Sequence, residues 1–208
     1  MKKIEVILFD LGGVLVELTG TSEMLKWMKN KPTIDELWKA WLSSSAVRSF
    51  EIGRSTAEQF ADELIDELDL SVGRNEFIRS FIQWPRRLYP EATRLIEKLN
   101  QDYTLACLSN SNELHWHRLI NEMGIDKMFS KHFISHLTGK LKPDPEAFEH
   151  VLLNLNCDAS ATLFLDDNEI NVRSARKVGM EAHRVTGPDE IMRIFKEANI
   201  FNSSDITN

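Results

Sequence analysis

The sequence has little cysteine. Cys107 and Cys157 are the only two, and they lie far apart in a chain of 208 residues. Neither belongs to a closely spaced pair of the kind that binds a metal, and two free thiols are a better interpretation than a disulfide. Two free thiols indicate a reducing compartment, and we expect a cytoplasmic protein.

Excess positive charge is absent as well. The chain has 25 Lys and Arg residues against 32 Asp and Glu residues, and its formal net charge is −7. This balance argues against a broad surface for nucleic acid or for an anionic membrane. A small molecule is therefore the expected partner, and the composition says nothing about the oligomeric state.

Long hydrophobic runs are missing. The basic start "MKKIEVILF" is similar to a signal peptide, but Asp10 ends its apolar run short of the ~7–15 residues that such a segment needs. No other run approaches the ~18 residues of a membrane-spanning helix. We expect an unprocessed soluble protein without a membrane segment.

Short apolar stretches are present, and most are separated by helical patterns. Five are typical of buried strands, at residues 4–9, 104–108, 132–135, 162–165 and 181–185. Strands that alternate with helices form a parallel sheet covered on both faces. One helix follows "LKPDP", where Asp144 is placed to cap it. The predicted fold class is α/β, with a doubly wound, Rossmann-like core.

The segment 19–86 contains helix signals and no convincing strand. Its clearest signal is "STAEQFADELIDEL", where Ser55 and Glu58 have the spacing of a capping box before an apolar stripe. We predict about four helices there, forming an α-helical cap (19–86) inserted after the first strand of a core that comprises 1–18 and 87–208. Trp27, Trp38 and Trp41 are expected inside that cap, because tryptophans of small bundles are more often core than ligand-binding.

Polar residues follow four of the predicted strands. They are Asp10, Ser109, Asn110, Lys142, Asp166 and Asp167. Each alone has an ordinary explanation as a cap, a turn former or a solvated loop residue. In an open parallel sheet, however, the carboxyl ends of the strands meet at one edge, where ligands bind. Three carboxylates brought together there would repel one another unless a cation neutralised them, which predicts Mg²⁺ or a similar hard ion.

With these residues in place, the sequence resembles the haloacid dehalogenase-like hydrolase superfamily. Its four motifs are similar to "FDLGGVLV", "LSNSN", "GKLKPDPEAF" and "FLDDNEINVRSARKVGM", so the resemblance covers most of the chain. The first two segments and "FEIGRSTAEQFADEL" are also similar to the bacterial sugar-phosphate phosphatases that include alpha-glucose-1-phosphate phosphatase. The resemblance implies a phosphatase for a small phosphorylated metabolite, with a sugar phosphate as one candidate.

The resemblance also implies a role for each matching residue. Asp10 would be the nucleophile that forms an aspartyl-phosphate. Ser109 and the backbone amide of Asn110 would bind the phosphoryl oxygens, Gly13 would lie beside the substrate, and Lys142 would neutralise the developing charge. The implied Mg²⁺ ligands are Asp10, the carbonyl of Gly12, Asp166 and Asp167, the last either as a ligand or as a catalytic group that orients the metal.

One position departs from the superfamily's pattern. The usual phosphatase has a second aspartate two residues after the nucleophile, where it protonates the leaving oxygen, and this sequence has Gly12 there. Loss of such an acid costs ~10²–10⁴-fold in rate. A phosphatase of this kind would favour leaving groups that need little protonation, or would take the proton from Glu17, Glu113, His115 or the inserted segment.

Two other functions stay open at this point. One is a phosphate-binding or interaction module with weak or no turnover. The other is a 2-haloacid dehalogenase, since those members also lack the second aspartate. Dehalogenases dispense with metal, however, and a site without Mg²⁺ would have little reason to keep both Asp166 and Asp167. The phosphatase is therefore the preferred interpretation.

Overall fold

A parallel sheet forms the centre of the computed structural model, which describes residues 3–99, 102–198 and 200. The strands of the described residues are β1 (Val6–Phe9), β2 (Val16–Leu18), β3 (Pro85–Leu88), β4 (Thr104–Ser109), β5 (Lys131–Ile134), β6 (Thr162–Asp166) and β7 (Glu181–Arg184). Five of them form the sheet, in the order β5-β4-β1-β6-β7, and every neighbouring pair is parallel. The predicted parallel sheet is thus confirmed.

Helices connect these strands. Those of the described residues are α1 (Gly20–Trp27), α2 (Ile34–Ser43), α3 (Ser45–Glu51), α4 (Ala57–Glu67), α5 (Arg74–Ile82), α6 (Ala92–Leu99), α7 (Glu113–Asn121), α8 (Ile125–Met128), α9 (Ser135–Thr138), α10 (Pro145–Leu155), α11 (Glu169–Val178) and α12 (Gly187–Glu197). All of them fall short of the length and apolar character that a membrane crossing requires.

Both faces of the sheet are buried, which explains why its strands are nearly continuous apolar runs. Side chains alternate along β1, so Ile7 and Phe9 join one core cluster and Leu8 joins another. The first cluster includes residues of α6, α7, α8 and α12, and the second includes residues of α10 and α11. Helices therefore cover both faces, and the doubly wound architecture is confirmed.

The helices α1–α5 lie between β2 and β3 and have a core of their own, built around Phe50, Phe60, Phe77 and Phe81. The strands β2 and β3 form a two-stranded antiparallel ribbon through which the chain enters and leaves this helical insertion. The ribbon was not predicted, because its strands have only three and four residues and carry no long apolar pattern. Five helices occur where about four were expected.

The structure corrects three sequence-based expectations about capping residues and tryptophans. The capping box of α4 joins Thr56 to Gln59, one residue later than predicted, because Thr56 has the extended backbone that a helix cap requires. Asp144 precedes α10 but accepts no capping hydrogen bond, since its carboxylate pairs with Arg48 of α3. Trp27 and Trp41 pack on the insertion's core as expected, whereas Trp38 is 41% exposed.

Candidate active site

The carboxyl ends of three adjacent strands, β4, β1 and β6, bring the predicted groups together. Ser109 is the last residue of β4, Asp10 follows β1 directly, and Asp166 is the last residue of β6. The chain leaves β1 toward β4 but leaves β6 toward β7, so the topological switch point lies between β1 and β6. This is where an open α/β sheet binds its ligands.

Lys142 lies between the two carboxylates that flank this switch point. Its ammonium nitrogen donates to Asp10 Oδ1 at 2.8 Å and to Asp166 Oδ2 at 2.6 Å. The Lys142 side chain is 1% exposed. Burial acts against the charged form, but Asp10 and Asp166 hold the pKa of Lys142 above its usual value. Lys142 therefore stays an ammonium group.

Asn110 fixes the backbone that carries this lysine. The amide group of Asn110 donates to the Lys142 carbonyl at 2.8 Å, and the Lys142 N–H donates to Asn110 Oδ1 at 2.9 Å. Ser174 Oγ donates to the Pro143 carbonyl at 2.5 Å from the other side of the loop. The loop between α9 and α10 is thereby tied to the loop after β4 and to α11.

The loop after β1 is held close to Asp167. The Asp10 N–H donates to the Leu165 carbonyl at 2.8 Å, and Gly13 has a φ of +70°, which favours glycine. A Cβ atom at Gly13 would also collide with the carboxylate of Asp167. Gly13 is therefore required both by its backbone conformation and by this close approach. At Gly12, by contrast, a Cβ would meet only the flexible tip of Leu18, at 2.9 Å.

Asp10, Asp166 and Asp167 form an all-oxygen cluster that fits a hard divalent ion. Each offers a carboxylate oxygen, and these oxygens lie within 4.8 Å of one another. Asp166 is oriented by the N–H of Asn168 at 2.8 Å and by Asn171 Nδ2, which lies 3.1 Å from each of its oxygens. Asn171 therefore binds the Asp166 carboxylate directly.

The electrostatics of the cluster also favour a cation. Burial raises the pKa of Asp10 to about 6; Lys142 opposes this shift and Asp166 adds to it. Burial likewise raises the pKa of Asp167 to about 7, with repulsion from Asp10 and Asp166 adding to the effect. Three carboxylates and one ammonium leave two negative charges without a partner, so a divalent cation would bring the group to neutrality.

A cavity of about 520 Å³ opens onto these groups and is lined by both the sheet edge and the helical insertion. The predicted residues on its wall are Asp10, Gly12, Ser109, Asn110, Lys142 and Asp167. Gly13 and Asp166 lie behind the wall, in contact with Asp167 and Lys142 respectively. The structure therefore brings all eight predicted site residues to one place.

Glu51 is the principal cavity residue that sequence reasoning missed. It is the last residue of α3 and lines the cavity from the helical insertion. Burial raises its pKa to about 7, with Lys142 opposing and Asp10 adding to the shift. The only sequence signal was its position in "FEIGRST", a stretch with no recognisable chemistry of its own.

Comparison with known proteins agrees with this geometry. The family model described as haloacid dehalogenase-like hydrolase matches residues 4–179. The chain is 30% identical over 183 residues to the sesquiterpene phosphatase astK of Aspergillus oryzae, covering 86% of this chain and 88% of that protein. It is 23% identical over 182 residues to the D-ribitol-5-phosphate phosphatase of Bacteroides thetaiotaomicron, covering 84% of this chain and 88% of that one.

Solved structures show the same fold. A HAD family enzyme of Bacteroides thetaiotaomicron superposes with a TM-score of 0.76 at 25% identity, covering 93% of this chain and 99% of that one. The same enzyme in complex with magnesium and inorganic phosphate superposes with a TM-score of 0.74 at 24% identity, covering 92% and 99% of the two chains.

Proposed function

Since the chain belongs to the haloacid dehalogenase-like hydrolase family and is a hydrolase of the phosphatase type, we propose that it is a Mg²⁺-dependent phosphomonoesterase for a small phosphorylated metabolite. Its relatives include phosphatases named for a sesquiterpene, for ribitol 5-phosphate and for phosphoglycolate. These names agree on the bond that is broken and differ in the organic part of the substrate.

One observation carries the proposal: Lys142 bridges Asp10 and Asp166 at the switch point, beside the carboxylate of Asp167. The single positive charge of Lys142 neutralises one of the three carboxylates, so the group keeps two negative charges, and the carboxylate of Asp167 lies on the cavity wall. Such a site favours a cation together with a dianion, which is the charge of a phosphate monoester.

Asp10 attacks the phosphorus, and the bond from phosphorus to the leaving oxygen breaks, which gives an aspartyl-phosphate. Lys142 holds Asp10 in place and offsets charge that develops on the phosphoryl oxygens. Ser109 and the backbone amide of Asn110 bind those oxygens from the adjacent strand end. Water then attacks phosphorus, and the bond to Asp10 breaks to release inorganic phosphate.

Mg²⁺ would be held by Asp10, the carbonyl of Gly12, Asp166 and Asp167. When bound, it supplies positive charge to the phosphoryl oxygens. Asn171 and the N–H of Asn168 keep Asp166 in the orientation for this role. Gly13 lies beside the substrate and leaves room for Asp167.

The helical segment 19–86 would act as a cap over a core that comprises 1–18 and 87–208. The cavity between them is lined from both sides, and the β2–β3 ribbon is where the two connect. A ribbon of two short strands, through which the chain both enters and leaves the insertion, suits a hinge on which a cap opens and closes.

The test is release of phosphate from para-nitrophenyl phosphate with Mg²⁺ and with EDTA, in the wild type and in Asp10→Asn. We expect release that requires Mg²⁺ and is abolished in the variant. Asp126→Asn, at an exposed position of α8, is the control and should keep full activity. Metal-independent halide release from a 2-haloacid would favour a dehalogenase, and phosphate binding without turnover of any ester would favour a binding module.

A further inference from the structure

The site contains no aspartate at Gly12, so a proton for the leaving oxygen has to come from elsewhere. Glu17 is excluded as this donor, because its hydrogen bond with Arg87, aided by Arg86, holds its pKa below the usual value and keeps it ionised. Glu113, the first residue of α7, is not among the residues that line the cavity.

His115 lines the cavity, but its ring is already bound to Phe81. Its Nε2 lies 2.7 Å from the Phe81 carbonyl, and its ring stacks on that of Phe81 with centroids 4.2 Å apart. Burial lowers the pKa of His115 to about 4, so the ring is neutral at physiological pH. A neutral imidazole whose N–H is bound to a carbonyl is a poor acid for a leaving alkoxide.

Glu51 differs from all of these. It lines the same cavity as Asp10, Gly12 and Lys142, and its carboxyl group makes no hydrogen bond or ion pair with any described residue. Glu51 is only partly buried, so its carboxyl group is open to the cavity. It is free to bind a group that enters the cavity.

Two contacts fix the helix that carries Glu51 against the core. Arg48 of α3 pairs with Asp144, which lies in the same loop as Lys142. Gly53, just after α3, lies so close to α9 that a Cβ atom there would be 2.7 Å from the His136 carbonyl oxygen. These attachments hold the end of α3 against the loop that carries Lys142 and against α9, so the position of Glu51 follows from the fold.

We propose that Glu51 is the catalytic acid and base of this phosphatase, in place of the residue absent at Gly12. This proposal rests on the proposed function. The protonated Glu51 gives its proton to the leaving oxygen as Asp10 takes the phosphoryl group, which releases an alcohol. The resulting Glu51 carboxylate takes a proton from the water that attacks the aspartyl-phosphate, so that Glu51 ends as it began. The pKa of about 7 lets it work in both directions near neutral pH.

The test compares two leaving groups in Glu51→Gln. Alkyl phosphates need a proton on the leaving oxygen, whereas para-nitrophenyl phosphate leaves as a stable anion. Because Glu51 also serves the hydrolysis of the aspartyl-phosphate, a step that both substrates share, the comparison uses kcat/KM, which reports only the steps up to release of the alcohol or phenol. We expect kcat/KM for an alkyl phosphate to fall by ~10²–10⁴-fold and kcat/KM for para-nitrophenyl phosphate by less than about tenfold. The fall in wild-type activity above about pH 7 should also disappear in the variant. Glu58→Gln, at an exposed position of α4, is the matched control.

A second variant tests whether the carboxyl group removed in Glu51→Gln acts as a proton donor. Gly12→Asp has room for its side chain once Leu18 moves, and it should restore much of the alkyl phosphate activity of Glu51→Gln. Equal losses of kcat/KM for both leaving groups, or an unchanged kcat/KM with alkyl phosphates, would overturn the role of Glu51. Absence of Mg²⁺-dependent phosphate release from para-nitrophenyl phosphate in the wild type would instead overturn the proposed function.

A different observation concerns the organic part of the substrate. Seven large hydrophobic side chains are exposed among the described residues, and four of them line the cavity: Leu18, Trp38, Leu42 and Ile170. They come from β2, α2 and α11, so the apolar wall is contributed by the core as well as by the insertion. We refer to these four residues as the apolar wall.

Part of the apolar wall comes from the exposed face of α2. Ile34, Trp38 and Leu42 recur every four residues and are all exposed, whereas Leu37 and Trp41 pack into the insertion's core. An apolar stripe on the outer side of a helix has no role in the packing of that helix. Trp38 and Leu42 instead border the cavity that contains Asp10.

From this wall we infer that the substrate is the phosphate ester of an apolar alcohol, such as an alkyl, prenyl or aryl chain. The inference rests on the proposed function and differs from the sugar phosphate that the sequence suggested. The apolar wall and the phosphoryl-binding groups line one cavity. A substrate whose phosphate is bound beside Asp10 therefore places its organic part against the apolar wall. Ligand pockets of this kind combine an apolar lining with a few placed polar groups.

The test measures kcat/KM for octyl phosphate and for glycerol phosphate. We expect octyl phosphate to be preferred, and Leu42→Ser and Ile170→Ser to lower its kcat/KM by about tenfold or more with little effect on glycerol phosphate. Leu153→Ser, 80% exposed on α10 and away from the cavity, is the control.

Two outcomes would overturn this inference. One is equal preference for the two esters, or an equal effect of the variants on both. The other is a wild-type dimer that Leu42→Ser dissociates, which would assign the wall to contact between two copies of the chain. Phosphate release from para-nitrophenyl phosphate would persist in either case, so the proposed function is judged separately.

Discussion

The ammonium nitrogen of Lys142 lies 2.8 Å from Asp10 Oδ1, within a group of charges that is almost closed to solvent. Removing one partner of such a buried pair leaves the other charge without compensation. Lys142→Met should therefore lower the free energy of unfolding by ~3–5 kcal/mol in the absence of metal. Urea denaturation in EDTA measures this loss, and added Mg²⁺ should recover part of it.

A surface pair provides the control. Lys29 pairs with Asp69, and both side chains are more than half exposed. Lys29→Met should change the free energy of unfolding by no more than ~1 kcal/mol, because exposed ion pairs contribute little. If Lys142→Met proved as mild as Lys29→Met, the account of Lys142 as the buried centre of the site would be wrong.

Much of the site could be predicted because buried parallel strands are recognisable as apolar runs. Once β1, β4 and β6 are placed, topology alone brings Asp10, Ser109 and Asp166 to one edge. Glu51 could not be found in this way, because it is the last residue of a short helix. Its position in the cavity depends on how α3 packs against α9. The β2–β3 ribbon was missed since its few residues are held by their pairing and not by a pattern.

Substitution of two glycines distinguishes the effect of backbone strain from the effect of a collision in the active site. Gly13 and Gly124 have nearly the same φ, +70° and +68°, but a Cβ atom would collide with Asp167 only at Gly13. Gly124→Ala should cost ~1–2 kcal/mol of stability and leave activity intact. Gly13→Ala should cost more and abolish Mg²⁺-dependent phosphate release. Comparable activity in the two variants would contradict the close approach of the loop to Asp167.

Asn171 orients Asp166, and its loss should be visible in metal binding. Asn171→Ala removes the amide that lies 3.1 Å from each carboxylate oxygen. Affinity for Mg²⁺ should fall ~10–100-fold, as is typical when a partner of a metal ligand is removed. Calorimetric titration with Mg²⁺ measures this. Asn154→Ala, whose side chain bonds only with His150, should bind Mg²⁺ as the wild type does.

The pH dependence of stability is an independent test of the raised pKa of Glu51. Its pKa is raised from 4.5 to about 7, so the folded protein binds the Glu51 proton more tightly than the unfolded chain does. Its contribution to stability is therefore largest at acidic pH and declines as pH rises through this window. Without metal, Glu51→Gln should weaken this decline and be relatively more stable than the wild type above about pH 7.

Glu17 provides a control of opposite sign. Its hydrogen bond with Arg87 lowers its pKa, so its charge contributes stability above the usual value, and that contribution is lost as pH falls. Glu17→Gln should be less stable than the wild type at neutral pH. Thermal unfolding across pH measures both variants, and parallel curves for Glu51→Gln and the wild type would contradict the burial of the Glu51 carboxyl group.

In the proposed mechanism, Asp10 carries the phosphoryl group during turnover. The most direct measurement is peptide mass spectrometry of enzyme quenched in acid while it hydrolyses a phosphate ester with Mg²⁺. We expect a phosphoryl group on the peptide that contains Asp10, and we expect it to be absent in EDTA and in Asp10→Asn. Turnover without any phosphoryl group on Asp10, or with one on another residue, would contradict it.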